Sequence, residues 1–558
     1  MQKRRRSWTR SCRSCGSALG SEVGGKVIQS ARPGSKTFWL VLLVFVLLAI
    51  LPLLYLFFGS FFPEGSFSLE AWRKILATET ERVQLLHSAI LGGLATLFAL
   101  LLGGGTAWLT ERTDLPMARA LGPMALLPLL FPPIVVAMSF ADLSTATGLP
   151  VVALLLGVSH APFAAALTAR GLRSIDGRLY ESTLLARGRL RAELFLLRQC
   201  LADILAGALL VLVFVLSNHG VPEFFSVKKK SWFVYSEAVF LRWSAPGKPG
   251  SLRAAEAVAS SAPLLLLIGL ALLICLRARR KGTLVTVASD FRPLPLRALG
   301  RGKLPALLFA LILPLLGIVM PLWRMLLWSA GSTANHGTSM QTAIESFRRV
   351  VTELSGDLGY TLGMAALAGG LVVLVALPLA WEAARRKPWI EALSLIPLAV
   401  PGVLLGVALV RLWNDPHLPL ARLYDTPALL VAGYGTRFLP LGVLALANAA
   451  RRLPASFDEA ARLSGRGPVL RWLKIQGPLL LPTAVSVFIL GYILSLRELD
   501  LAVILPPGND MVPRRLANIV HFGNEDVGGA LAVLLALGAA LPILMRILLT
   551  GKAGRADL

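Results

Sequence analysis

Acidic residues are scarce. Asp and Glu number 31 against 56 Lys and Arg, a formal charge of +25, and charged residues make up only 16% of the 558. Soluble globular chains carry roughly 25%. Cysteine occurs four times and histidine six times, while the apolar fraction reaches 55%. These shortages exclude a disulfide scaffold, a disordered chain and an ordinary cytosolic enzyme. Cys12 and Cys15 form a lone CxxC. Structural zinc wants four ligands, and neither a second pair nor a nearby histidine supplies them, so no metal site is expected. Paired carboxylates and clustered His, Asp and Glu are also missing, so no catalytic residue, no resident cofactor and no enzyme activity is expected of this chain. Nor is there a nucleotide-binding P-loop. The nearest match, Gly20 to Val27, places valine after Gly25-Lys26 in a polar tail without a strand.

What is present is apolar sequence in blocks. Twelve runs are long enough to cross a bilayer as helices: 38–58, 86–109, 120–141, 149–170, 200–217, 258–276, 304–328, 358–381, 391–412, 427–450, 479–496 and 527–549. With the N-terminus placed inside, 38 of the 56 basic residues fall on segments of that side. This predicts cytoplasmic N- and C-termini and a multi-pass inner-membrane protein. It also explains the charge through the lipid bilayer, without nucleic acid. Lys228, Lys229 and Lys230 are the main exception, in an external loop. The run from Phe38 to Phe58 is too long for a signal peptide and lacks a clear cleavage site, so it reads as a retained span after a basic tail, 1–37.

The chain repeats itself. Ser88–Trp108 matches Thr361–Trp381 at an offset of 381 − 108 = 273; Pro128 and Pro132 match Pro397 and Pro401 at 269; Pro162 matches Pro440 at 278. Each half then holds six spans, 38–276 and 304–558, joined by a basic, proline-containing linker, 277–303. Six crossings return the chain to its starting side, so the halves are parallel. The expected fold is an all-α polytopic membrane protein of 12 transmembrane helices, built as two parallel six-helix repeats around a central pathway.

The segment 451–478 lies inside in this topology. Ser456 and Glu459 form a capping box, Ala460 and Ala461 continue the helix with small side chains, and Gly465, Gly467 and Pro468 break it. The outcome is two short helices on the inner face, suited to docking in a partner's groove. Glu459-Ala460-Ala461, Gly465, Ile475 and Pro478 resemble the EAA loop of ABC importer permeases, with Gly477 where that pattern has leucine. A degenerate copy lies 278 residues earlier: Glu181-Ser182-Thr183, with Arg187 at the glycine position and Gly188 one place late. Ile504-Leu505-Pro506-Pro507-Gly508, Arg515-Leu516, Asn518, His521 and Gly523 are similar to the segment before the last span in fused permeases for ferric iron, thiamine and phosphonate.

The resemblance implies the fold of type I ABC importers (MetI-like). It also implies two copies of an ATPase subunit docked on these loops, and an extracytoplasmic solute-binding protein that delivers a small solute, ferric iron first, thiamine or a phosphonate otherwise. It further implies that the fifth helix of each half lines the route. Asn218, His219, Arg437, Arg497, Glu498 and Asp500 are then the pathway residues, expected as polar rings near the outer mouth or as interfacial residues paired with one another, such as Arg497 with Asp500. His160 and Glu223 are further polar residues close to this set. The alternative is an ion-coupled secondary transporter with twelve spans. That class needs carboxylates within spans, and here Asp203, at an edge, nearly stands alone.

Overall fold

The computed structural model describes residues 35–63, 65–73, 78–141, 148–227, 232–280, 291–331, 338–385, 387–453, 470, 472–506, 510–522 and 525–550. It is helical throughout; the one β contact among the described residues is an isolated bridge between Thr113 and Arg297. Ten helices are long and apolar enough to cross a membrane: Phe38–Gly59, Glu79–Arg112, Leu149–Arg173, Arg189–Ser217, Gly250–Ile274, Gly300–Ser329, Ser355–Arg385, Pro427–Arg452, Lys474–Arg497 and Glu525–Leu549. They correspond to ten of the twelve runs. The third and ninth runs are not straight spans. Ala118–Leu130 meets Pro133–Phe140 at 92°, and Trp389–Ala399 meets Gly402–Trp413 at 96°. The breaks fall at Pro132 and Pro401, the matched prolines. Proline removes an amide donor and forces the preceding residue out of the helical region, and both Phe131 and Val400 are extended.

Each bent pair still crosses. Arg173, at the end of the fourth span, donates to Glu111 at 2.6 and 2.9 Å, and Arg112 lies 3.4 Å from Glu193. The ends of the second and fourth spans therefore share one face. The fourth span's 25 residues reach about 37 Å, so its start at Leu149 lies at the opposite face, and residues 118–148 must traverse. Arg451 pairs with Glu391 in the same way in the second half. With the ten straight helices, the two bent pairs give up to twelve crossings among the described residues.

Backbone detail repeats as well. A π-helical turn occupies Val46–Ile50 in the first span and Leu315–Val319 in the seventh, at an offset of 315 − 46 = 269, and Pro52 and Pro321 follow at the same interval. These two spans swap sides. Tyr55 of the first span donates to Asp415 at 2.7 Å, and Thr436 donates to the Leu48 carbonyl. In the seventh, Gly317 lies so close to Pro128 that a Cβ would stand 2.6 Å from its Cγ. Each half's first span thus packs on the other half.

The fourth and tenth spans form the centre. Their most apolar stretches are 78% and 83% buried, against 28–50% in the other eight. Close approach there depends on absent side chains: a Cβ on Gly103 would lie 2.2 Å from the Ala161 carbonyl oxygen of the fourth span, and one on Gly442 of the tenth would lie 2.8 Å from Val372 Cγ1. Outer spans present Trp39, Leu40, Leu43, Leu266 and Leu374 to the surroundings, as a lipid face requires.

The linker is strapped to the first half. Arg112 donates to the Pro295 carbonyl and lies 4.3 Å from the Tyr180 ring centroid. Asp114 accepts from the Leu299 amide at 2.8 Å and pairs with Lys303 at 2.9 Å. Lys303, followed by the Leu299 amide, holds the Asp114 carboxyl below the usual carboxylate range.

Candidate functional site: a polar junction between the halves

Arg189–Ser217 and Lys474–Arg497, the fifth span of each half, both end in an extended residue, Asn218 and Glu498. The chain then runs on in short helices, Gly220–Val227 and Asp500–Ile504. These ends lie deep. Arg437 is ten residues inside Pro427–Arg452 and His160 eleven inside Leu149–Arg173, about 15 Å below the helix starts. Arg497 donates through Nη2 to the Ser159 carbonyl at 2.9 Å and to its hydroxyl at 3.3 Å. Arg437 lies 3.1 Å from Glu498 and donates to the Val400 carbonyl at 3.1 Å. The expected rings near the outer mouth are therefore a single junction at mid-depth. Its residues do pair with one another, but Arg497 takes Ser159 rather than Asp500.

Arg437 explains how the broken ninth span is tolerated. Pro401 leaves the Val400 carbonyl without a helical donor, and a buried unpaired carbonyl is costly in a bilayer interior. The guanidinium supplies the donor and is itself compensated by Glu498. Ser159 is the residue equivalent to Arg437 at the offset of 278. There the other half's Arg497 takes the same place, so two guanidiniums occupy related positions by different routes.

His219 completes the junction. Its Nδ1 stands 2.6 Å from the Asp500 carboxylate across the two halves, and its ring stacks on Phe240 at 4.6 Å. Nδ1–H donates, because an ionised carboxylate only accepts. Nε2 lies 3.7 Å from Glu223, the i, i+4 partner. Asn218 caps the short helix by accepting from the Val221 amide at 3.0 Å. His160 bonds the Leu156 carbonyl and stacks with Phe163 and Phe214, centroids 5.1–6.3 Å apart. Between these groups is a cavity of about 30 Å³, room for a water or two. Among the described residues, no group of three or more His, Cys, Asp and Glu could hold a metal ion.

Of the residues expected to dock, Glu181 is exposed on Gly177–Arg187, a helix capped by Asp176 through the Arg178 amide. Gly188 ends this helix at φ +75°, a backbone conformation that favours glycine. Leu185 and Leu190 beside it are 88% and 75% exposed. Ile475 and Pro478 lie at the start of the eleventh span. Glu459, Ala460, Ala461 and Gly465 lie outside the described residues. Sequence reasoning missed Ser159 and the role of Val400. A matched proline pair inside an apolar run was the available signal.

No family model matches the chain. It is similar to the Fe(3+)-transport system permease protein FbpB 2 of Haemophilus influenzae, 26% identical over 219 residues, 38% of this chain and 41% of that one. It is similar to the molybdenum transport system permease protein ModB of Mycobacterium tuberculosis, 29% identical over 215 residues, 36% and 81% of the two chains. It is also similar to the putative 2-aminoethylphosphonate transport system permease protein PhnV of Salmonella typhi, 25% identical over 182 residues, 32% and 66%. The match to the first spans less than half of that relative. The likeness to ABC importer permeases read from the EAA-type loop holds for these relatives, all named as permease proteins of transport systems.

Proposed function

We propose that this chain is the permease subunit of an ATP-binding cassette importer, forming by itself both halves of the translocation pathway for a small solute. One observation carries the reading above the rest: two equivalent helix ends meet at mid-depth between parallel halves, around a small polar cavity, as a gated conduit requires. ATP hydrolysis resides in a partner chain, in two copies docked on the loops at Glu181–Gly188 and Glu459–Pro478. An extracytoplasmic binding protein presents the solute at the opposite face. The linker face is cytoplasmic. It carries the basic segments, and the exposed Leu185 and Leu190 stand there ready to be covered. Relatives named for Fe(3+), molybdenum and 2-aminoethylphosphonate support a small solute as the cargo.

Closure of the two ATPases draws the loops together and tilts the halves. The His219–Asp500 and Arg497–Ser159 contacts cross between halves, so they must part when the pathway opens. Nucleotide and solute each bias this two-state junction. The test is co-purification of the partner ATPase together with solute uptake, for Glu459→Trp and Gly465→Leu. Loss of both supports the reading. Unchanged co-purification with unchanged uptake defeats the docking assignment, and ion-gradient-driven solute movement by the chain alone in liposomes would establish the secondary transporter instead.

A further inference from the structure

The first and seventh spans, equivalent in the repeat, are finished differently. Ser60 and Ser329 correspond at the offset of 329 − 60 = 269, and each hydroxyl donates to the carbonyl three residues back, at 2.6 and 2.7 Å. In the first half the chain covers this end with its own rings. Trp72, on the short helix Glu70–Arg73 that follows the span, donates through its indole to the Ser60 hydroxyl at 3.3 Å and stacks on Phe61 at 5.1 Å, with Phe57 edge-on to both. At the same offset in the second half, Leu326 stands for Phe57 and Ala330 for Phe61. The rings are missing, and a groove of about 560 Å³ is there instead, within the roughly 300–1,000 Å³ of ligand pockets. Leu326, Leu327, Ala330, Met340, Ile344 and Phe347 line it. The seventh span begins at the linker, so the groove at its end lies at the opposite membrane face.

We propose that this groove holds one acyl chain of a phospholipid as a structural ligand, doing for the second half what Phe61 and Trp72 do for the first. The inference needs only the membrane-spanning fold and holds whatever the solute is. The groove is continuous with the lipid face. Leu315, Val319, Leu322 and Leu326, spaced four, three and four apart, form an exposed stripe up the seventh span that ends at its mouth. Met340 and Ile344, 78% and 62% exposed, continue the apolar surface on the helix Met340–Glu353. Residues 332–337, Ser-Thr-Ala-Asn-His-Gly, offer no large apolar side chain as a filler. Met340–Glu353 does not roll inward to close the groove, because its other side is engaged: Ser346 lies 3.5 Å from Asp526 of the twelfth span, and Val350 is buried. An unfilled groove forfeits the dispersion contacts of its lining. In hydrocarbon the apolar filler at hand is an acyl chain. One seated between two helices makes contacts that a chain on a flat lipid face lacks, so it exchanges more slowly.

The experiment reconstitutes the full-length chain in nanodiscs of phosphatidylethanolamine and phosphatidylglycerol, extracts it into a steroid-based detergent, and counts retained phospholipids by native mass spectrometry. The wild type should keep one more phospholipid per chain than Ala330→Phe, which restores the ring of Phe61, and one more than Ile344→Glu, which sets a charge at the mouth. Leu374→Phe, at an exposed position on the eighth span, should keep the wild-type number. A ligand bound to the native state alone raises the unfolding midpoint. Phosphatidylglycerol returned to lipid-stripped protein should therefore raise it by a few degrees in the wild type and by less in Ala330→Phe. Glycerol phosphate, which has no acyl chain, should raise neither. Size-exclusion profiles establish which groove variants fold, and where one does not, the other decides. Equal retention by the wild type and the folded groove variants overturns the proposal, as does a midpoint that glycerol phosphate raises as far as phosphatidylglycerol. Equal retention joined to weaker capture of the solute-binding protein by Ile344→Glu overturns it in favour of that protein as the occupant.

Discussion

His219 and Asp500 are 281 residues apart in the chain, yet they close a 2.6 Å hydrogen bond at the meeting point of two equivalent helix ends. Neither residue has its own kind at the corresponding place in the other half. The repeat supplies the geometry and divergence supplies the complementary charges. Removing one partner of a buried charged pair costs about 3–5 kcal/mol, because the other is left uncompensated. His219→Ala and Asp500→Asn should each lower the unfolding midpoint of the purified chain, and the double variant should lose little more than either single one. Full additivity in this cycle would show that the two side chains are energetically independent.

The helix centre depends on glycine at chosen positions. A Cβ on Gly103 would stand 2.2 Å from a backbone oxygen of the fourth span, whereas one on Gly93 would meet nothing within 4 Å. Overpacking against backbone cannot be relieved by rotating a side chain. Gly103→Leu should therefore abolish accumulation in the membrane, while Gly93→Leu, on the same helix, should accumulate normally. Similar levels of the two, measured by fluorescence-detected chromatography, would mean that the second and fourth spans are not pressed together as described.

The frame was legible because bilayer crossing imposes a length and an apolar content that composition reveals directly. The matched prolines marked the repeat, and they also mark the two breaks. A run of apolar residues around Pro132 or Pro401 looks the same whether the helix bends or continues, since hydropathy carries no angle. The partners that cap the breaks lie on other helices, so Arg437 was visible as a polar residue but its bond to Val400 was not. The swap of the first and seventh spans left no local signal, because lipid-facing and protein-facing leucines are alike. Position 188 shows the opposite case. The first loop's glycine stands one place late relative to the pattern, yet the φ of +75° shows that the helix ends there, in backbone that favours glycine.

The two loops should contribute unequally. Leu185 is 88% exposed and supports no packing, so Leu185→Glu should leave folding unchanged while lowering co-purification of the ATPase. Glu459→Trp should lower it further, because the second loop keeps the fuller EAA pattern. Gly188→Val forces a branched residue into a positive-φ, extended backbone that is essentially glycine-only, at a cost of roughly 1–3 kcal/mol, and should reduce co-purification without touching the exposed apolar face. A greater loss from Leu185→Glu than from Glu459→Trp, read by densitometry of pulled-down ATPase, would reverse the ranking of the halves.

The linker is the part of the molecule whose attachment can be titrated. Arg112 holds the Pro295 carbonyl and lies over Tyr180, while Asp114 accepts from the Leu299 amide and pairs with Lys303. Arg112→Ala should raise deuterium uptake across 291–303 several-fold and speed tryptic cleavage at Arg297. The acid dependence follows from Asp114, whose carboxyl Lys303 holds below its ordinary value. A group depressed in the folded state stabilises above its unfolded pKa, about 3.9 for aspartate, and loses that contribution as pH falls through the lower folded value. Protection of the Leu299 amide relative to Asp114→Asn should therefore stay constant from neutral pH down to the ordinary carboxylate range and decline only below it. A decline already complete near pH 6 would assign the strap to a histidine or to a conformational change elsewhere, and would remove Asp114 from it.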